Sequence, residues 1–187
     1  LDKIWYSDFP KSSFHFIDDS RQWMQMDKAG HLFSAYYLNN MEMEMYNWAG
    51  LNEKKTLWLG GSIGTLFLFS IEYFDGRSAW GASAGDLAAN VAGRLISISQ
   101  HKLWKEQRVL MKFSFHQTSM AKYRPGVLGS TLSENILKDY NGQSYWVSIR
   151  RSHGELRTAG RTYKIGSNFA LEMKKEANIF SMAAGAR

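Results

Sequence analysis

Through the first hundred positions, apolar residues recur at intervals of three and four; after about position 108 they begin to alternate with polar ones. The first period places side chains on one face of a helix, and the second on one side of a strand. Met24, Leu32, Ala35, Tyr36 and Leu38 follow the helical spacing, which predicts a helix from about position 21 to Trp48. Asp18, Asp19 and Ser20 stand before it as N-cap candidates, because short polar side chains accept from the free amides of a first turn. Asn52 is placed to cap a second helix over 53–74, ended by Asp75-Gly76. A third is expected over 84–101 or beyond, with Ser83 and Asp86 spaced as a capping box.

Glycine punctuates the second and third helices. Gly60 and Gly64 are four apart, and Gly81, Gly85, Ala89 and Gly93 repeat every four positions. Such stripes let backbones approach closely, so the two helices are expected to pack on each other. Further on, "VLMKFSFH" and "SYWVSIR" alternate as strands, and "NG" at 141–142 turns the chain before the second. A short helix is expected over 133–138, a strand up to about 166 and a helix after 168. The fold class that follows is mainly α. It is a bundle of three or more helices, some glycine-rich and interfacial or re-entrant, followed by a small mixed region with short β-strands. Residues 1–150 are expected as one domain, with a helical core over 20–107 and strands over 108–150. Residues 151–187 form a basic C-terminal extension.

Composition narrows the class. The 187 residues are 44% hydrophobic and include seven Trp, nine Tyr and eleven Phe, enough for a sizeable core. Cysteine is absent, which excludes disulfides, thiol catalysis and cysteine-based zinc sites, and leaves no lipid-bearing cysteine. The chain starts at Leu1 and shows no signal peptide, so a processed or truncated N-terminus is expected. Most of the net charge of +6 comes from positions 150–187, with eight basic residues against three acids. That tail suits a solvated surface, an anionic lipid or an acidic partner; without a recognised binding motif, nucleic acid is not expected. The longest stretch without charge, 56–71, is sixteen residues and glycine-rich. A spanning helix needs about 20 apolar residues, so a buried or interfacial helix is favoured.

The candidate chemistry lies in polar residues set among these helices. Asp27 and His31 are four apart, Glu72 and Asp75 three apart, and Asp86 and Asn90 four apart, so each pair shares a helix face. A carboxylate left alone in an apolar bundle is too costly to keep charged, so such groups pair, bind a ligand or open onto water. Three chemistries fit. His31 can act as general acid or base, oriented by Asp27, with Asp86 or Glu72 as a second acid. Glu72, Asp75 and Asp86 can hold a hard divalent cation near His31. Zinc is admitted too, although one histidine is a thin ligand set. A closed salt-bridge network locking three helices is the alternative to all three.

"DKAGHLFSAYYL" and "IEYFDGRSAWGASAGDLAANVAGRLI" together resemble a D-K-x-x-H…E…D…D-x-x-x-N-x-x-G signature. It is that of the YfiM-like periplasmic (lipo)protein family, of unknown function and related to VanZ-like proteins. The likeness runs over about 5–149. It implies signature positions at Asp27, Lys28, His31, Glu72, Asp75, Asp86, Asn90 and Gly93. It also implies a helical core and a periplasmic location at a membrane, with the inner face of the outer membrane favoured. It supplies no settled reaction. Two functions are carried forward. In one, His31, Asp27, Glu72 and Asp86 form the reacting set, while Lys28, Asp75, Asn90 and Arg94 bind a phosphorylated lipid or glycan head group, with or without a divalent cation. In the other, the chain is a non-enzymatic accessory subunit of an envelope complex.

Overall fold

A computed structural model describes residues 11–149 and the backbone of 162–165. The chain is mainly α with a few short strands. It divides into two compact units, Leu1–Gln107 and Arg108–Arg187. The expected helix after 168 and most of the basic extension lie outside the described residues.

In the first unit, β1 (Phe16–Ile17) leads into a 3-10 turn, Trp23–Gln25, and then α1 (Met26–Trp48). There follow α2 (Glu53–Leu59), α3 (Ser62–Gly76), β2 (Ala82–Ser83) and α4 (Ala84–Trp104). α1 begins five residues later than expected because the polar residues before it have other partners. Asp18 accepts from the Ser20 amide at 3.0 Å, and Asp19 is turned to Lys28 and Ser83. Trp23, Met24 and Gln25 then carry positive φ angles of 50°, 51° and 60°. The expected second helix is divided at Gly60-Gly61: Gly60 is extended at ψ 127° and Gly61 is left-handed at φ 75°. Asn52 does cap α2, accepting from the Lys55 amide at 3.0 Å. Ser83 caps α4, accepting from the amides of Gly85 and Asp86 at 3.1 and 3.2 Å.

The glycine stripes do not face each other. Both pack on α1, which lies more extensively against α4 than against any other element. A Cβ on Gly93 of α4 would meet Ala35 Cβ at 2.9 Å and Tyr36 N at 3.0 Å. One on Gly64 of α3 would meet Leu38 Cβ at 2.7 Å. A small-residue stripe specifies close approach but not the partner, and the 23-residue α1 serves both helices.

Glu42 fixes α3 from a distance. It is 5% exposed, and its two carboxylate oxygens accept from the first free amides of α3, Ile63 N at 3.1 Å and Gly64 N. Gly61 has no side chain to cap that end, so a carboxylate from α1 does so, aided by the helix dipole. Glu42→Ala is expected to lower stability by about 3 kcal/mol, from two lost charge-assisted bonds and the stranded amides of Ile63, part-buried, and Gly64, buried. Glu42→Gln should lose about 1 kcal/mol, and urea denaturation midpoints measure both.

A two-residue parallel bridge, Phe16↔Ala82 and Ile17↔Ser83, ties the N-terminal strap to the segment before α4. Hydrogen bonds from Ser12 N to Arg77 O and from His15 N to Gly76 O, each 2.9 Å, extend the strap. Asp19 is thereby delivered beside Ser83.

The second unit holds an antiparallel sheet in the order β3 (Val109–Phe115), β4 (Gln143–Ile149), β5 (Thr162–Ile165). β5 draws part of the expected extension into this sheet. Between β3 and β4 lie α5 (Pro125–Leu128) and α6 (Leu132–Lys138), the latter opened by a Thr131–Glu134 capping box.

Candidate functional site

The helical unit brings six polar side chains together. Asp27, Lys28 and His31 come from the first turns of α1, Glu72 from the inner face of α3, and Asp86 and Asn90 from α4. Asp19 joins them from the strap. The sequence marks it only as a helix cap, and the "DDS" run just upstream of Asp27-Lys28 is the signal that places it near the site.

Lys28 anchors one side. Its ammonium pairs with Asp19 Oδ2, lies 3.1 Å from Asp86 Oδ1 and 3.9 Å from Asp27 Oδ2. Burial pulls the Lys28 pKa down, but hydrogen bonding to Asp19 and Asp86 outweighs that and leaves it raised. Burial likewise pushes Asp19 up, while its bonds to Lys28 and to Ser83 Oγ, the latter 2.8 Å, leave it lowered. These two groups are a satisfied charged pair.

His31 occupies the centre. Its Nδ1 lies 3.0 Å from Asn90 Oδ1. A carbonyl oxygen only accepts, so Nδ1 carries the proton in this arrangement. Nε2 faces Glu72 Oε1 at 3.5 Å and Asp27 Oδ1 at 3.9 Å. Glu72 Oε2 accepts from the Ser83 amide at 3.0 Å, whereas Oε1 is buried and accepts no hydrogen bond.

Glu72 and Asp86 are 3% and 4% exposed. Burial is the main cause that lifts the Glu72 pKa to about 7, against the opposing pull of the Ser83 amide and His31. Burial again, with the nearby Asp27 charge, lifts Asp86 to about 6, against His31 and Lys28. Two carboxyls poised near neutrality beside an imidazole can hold and pass protons. One ligand atom each from Asp27, His31 and Asp86 also lies within 4.8 Å of the others, so the same group can hold a metal ion.

Of the expected site residues, Asp27, Lys28, His31, Glu72, Asp86 and Asn90 converge. Asp75 stands one turn on at the end of α3; its carbonyl accepts from Ser78 N and Gly81 N, and its charge acts on Glu72. Arg94 is turned away, donating to Thr65 Oγ1 at 3.3 Å and the Trp58 carbonyl at 3.4 Å. It lies one turn beyond Asn90, but its long side chain reaches α2 and α3 instead. The chain matches no family model, no curated protein and no solved structure, and the site rests on its own geometry.

Proposed function

We propose that this chain is a membrane-surface protein of the cell envelope whose His31–carboxylate site receives a phosphorylated lipid or glycan head group. The observation that carries this reading is that α3 has two opposite sides. Its buried side delivers Glu72 to His31, at 3.5 Å. Its outer side exposes Ile63, Leu66, Phe67, Phe69 and Tyr73. Large exposed apolar patches on a folded chain mark contact surfaces. On α2, Trp58, Lys54 and Lys55 are exposed as well, which suits an anionic interface with aromatic and basic anchors. The α2–α3 stretch Glu53–Gly76 is long and apolar enough to cross a membrane, with 28% of its most apolar window buried. The Gly60-Gly61 break favours an interfacial seat over a straight crossing. A surface that seats α3 sets the polar site at head-group depth, where His31, Glu72 and Asp86 have proton chemistry to offer. Lys28 is already committed to Asp19 and Asp86, so an anionic head group arrives with a counter-cation.

Flotation with phosphatidylcholine vesicles, with and without phosphatidic acid, tests the reading. Binding should strengthen roughly tenfold with phosphatidic acid and fall by a similar factor in Asp86→Asn and His31→Ala, with melting temperatures within a few degrees of wild type. Failure to float, or binding indifferent to both substitutions, overturns it. The accessory-subunit reading draws on Met41, Met45 and Trp48, all exposed towards the end of α1. Recovery of a stoichiometric protein partner from detergent extract favours that reading.

A further inference from the structure

The geometry points to a divalent-cation site formed by Asp27, His31 and Asp86, with Glu72 beside His31, that takes an ion of the manganese or zinc type. The inference deepens the head-group reading and rests on it for its role, while occupancy by the ion stands on the following observations.

The first is charge. Asp27, Glu72 and Asp86 gather around one imidazole and one ammonium, and that ammonium is also paired with Asp19. The second is the direction of His31. Its Nδ1 lies 3.0 Å from Asn90 Oδ1, and its Nε2 faces Glu72 Oε1 at 3.5 Å and Asp27 Oδ1 at 3.9 Å. The third is Glu72 itself. Its side chain is 4% exposed, and Oε1 points into the cluster with no hydrogen bond. A buried carboxylate oxygen in that state asks for a proton or a metal ion.

Size and support agree. Ligands on one such ion stand about 2.0–2.2 Å from it, so neighbouring ligand atoms in a tetrahedral set are about 3.4 Å apart. Asp27, His31 and Asp86 offer atoms within 4.8 Å of one another, a gap that small side-chain rotations close. The supporting shell is already in place. Metal-bound imidazoles usually donate their second N–H to an oxygen, and Asn90 Oδ1 stands 3.0 Å from His31 Nδ1 in the place to accept it. Ser83 N orients Glu72, and Lys28 orients Asp86. A mixed set of one imidazole nitrogen and carboxylate oxygens favours manganese or zinc over magnesium or calcium, which prefer oxygen alone.

The test uses the full chain stripped with chelator, without lipid. Manganese alone is titrated and followed by electron paramagnetic resonance, and zinc by calorimetry. One ion per chain is expected, at about 10 μM or tighter. Pulsed resonance on bound manganese should show nitrogen-14 modulation from a coordinated imidazole. Asp27→Asn and Asp86→Asn should each weaken binding roughly tenfold or more, and Glu53→Gln, on the exposed start of α2, should leave it unchanged. If His31→Ala does not fold, the nitrogen signal in the wild type and the effect of the partly exposed Asp27→Asn still decide. No saturable binding, or binding without the nitrogen signal, overturns the site. Ion binding without vesicle flotation would overturn only the head-group reading, and flotation without ion binding only the metal site.

Discussion

Replacing Gly93 with valine is expected to unfold the helical unit or leave it at least about 4 kcal/mol less stable. Cores resist overpacking by about 1–3 kcal/mol when a neighbouring side chain can yield. Here the neighbours are the backbone of α1 at Leu32 and Tyr36 and the Cβ of Ala35. Backbone cannot rotate aside, so α1 and α4 must separate. The separation also breaks the site, because α1 carries Asp27, Lys28 and His31 and α4 carries Asp86 and Asn90. Gly93→Ala should show a smaller loss of about 2 kcal/mol, since one methyl is still too large for that contact. Gly126→Ala serves as the control: nothing lies within 4 Å of its added Cβ, and no loss is expected. Chemical denaturation of the three variants checks the order. A Gly93→Val chain as stable as wild type would mean that the two helices do not approach at this glycine.

That contact shows what the sequence disclosed and what it withheld. The four-residue repeat of Gly85, Ala89 and Gly93 marked a surface for close packing, but the apposed surface was not written beside it. Gly64 and Gly93 looked like partners because both are small; each in fact admits α1. Local signals survived where the folded chain uses them locally, as at Asn52 and Ser83. They misled where a capping side chain is recruited across the fold. Asp19 leaves the start of α1 for Lys28 and Ser83, and the helix begins later. Glu42 is the converse case. Nothing in "MEMEMY" distinguishes it from Glu44, and only the turn at Gly61 gives it two amides to hold. The site was legible as three i, i+3 or i, i+4 pairs, because helical spacing puts each pair on one face. Their meeting depended on packing, which no local pattern encodes. Arg94 shared the spacing and not the destination, since a long flexible side chain is placed by its terminal partners rather than by its Cα.

In chelator-containing buffer the wild-type chain should lose stability as pH rises from about 5 to about 8, and Glu72→Gln should remove most of that loss. Burial first, with the Asp86 and Asp75 charges added, raises the Glu72 pKa from 4.5 to about 7 in the folded chain. Below 4.5 both the folded and unfolded chains hold the proton, and the shift costs nothing. Between 4.5 and 7 the unfolded chain has released it while the folded chain retains it, so each step upward in pH favours unfolding. Above 7 the full cost of ionising a buried carboxyl is present, on the order of 3 kcal/mol at 1.36 kcal/mol per unit. Asp86, raised to about 6, adds a loss of the same sign over a lower range, and the two are coupled through the same small volume. Glutamine keeps the acceptor for the Ser83 amide and offers an N–H towards His31 Nε2, so the contacts of Glu72 are retained without its charge. Thermal denaturation at pH 5 and pH 8 should therefore show Glu72→Gln near wild type at the lower pH and more stable at the higher. A salt-bridge network built only to hold helices together predicts the reverse, because removing one partner of a buried pair leaves the other uncompensated. Stability gained at pH 8 would mean that the chain keeps this carboxylate against its own folding energy, as binding and reacting residues commonly are kept. A less stable Glu72→Gln at pH 8 would make the cluster a structural clasp.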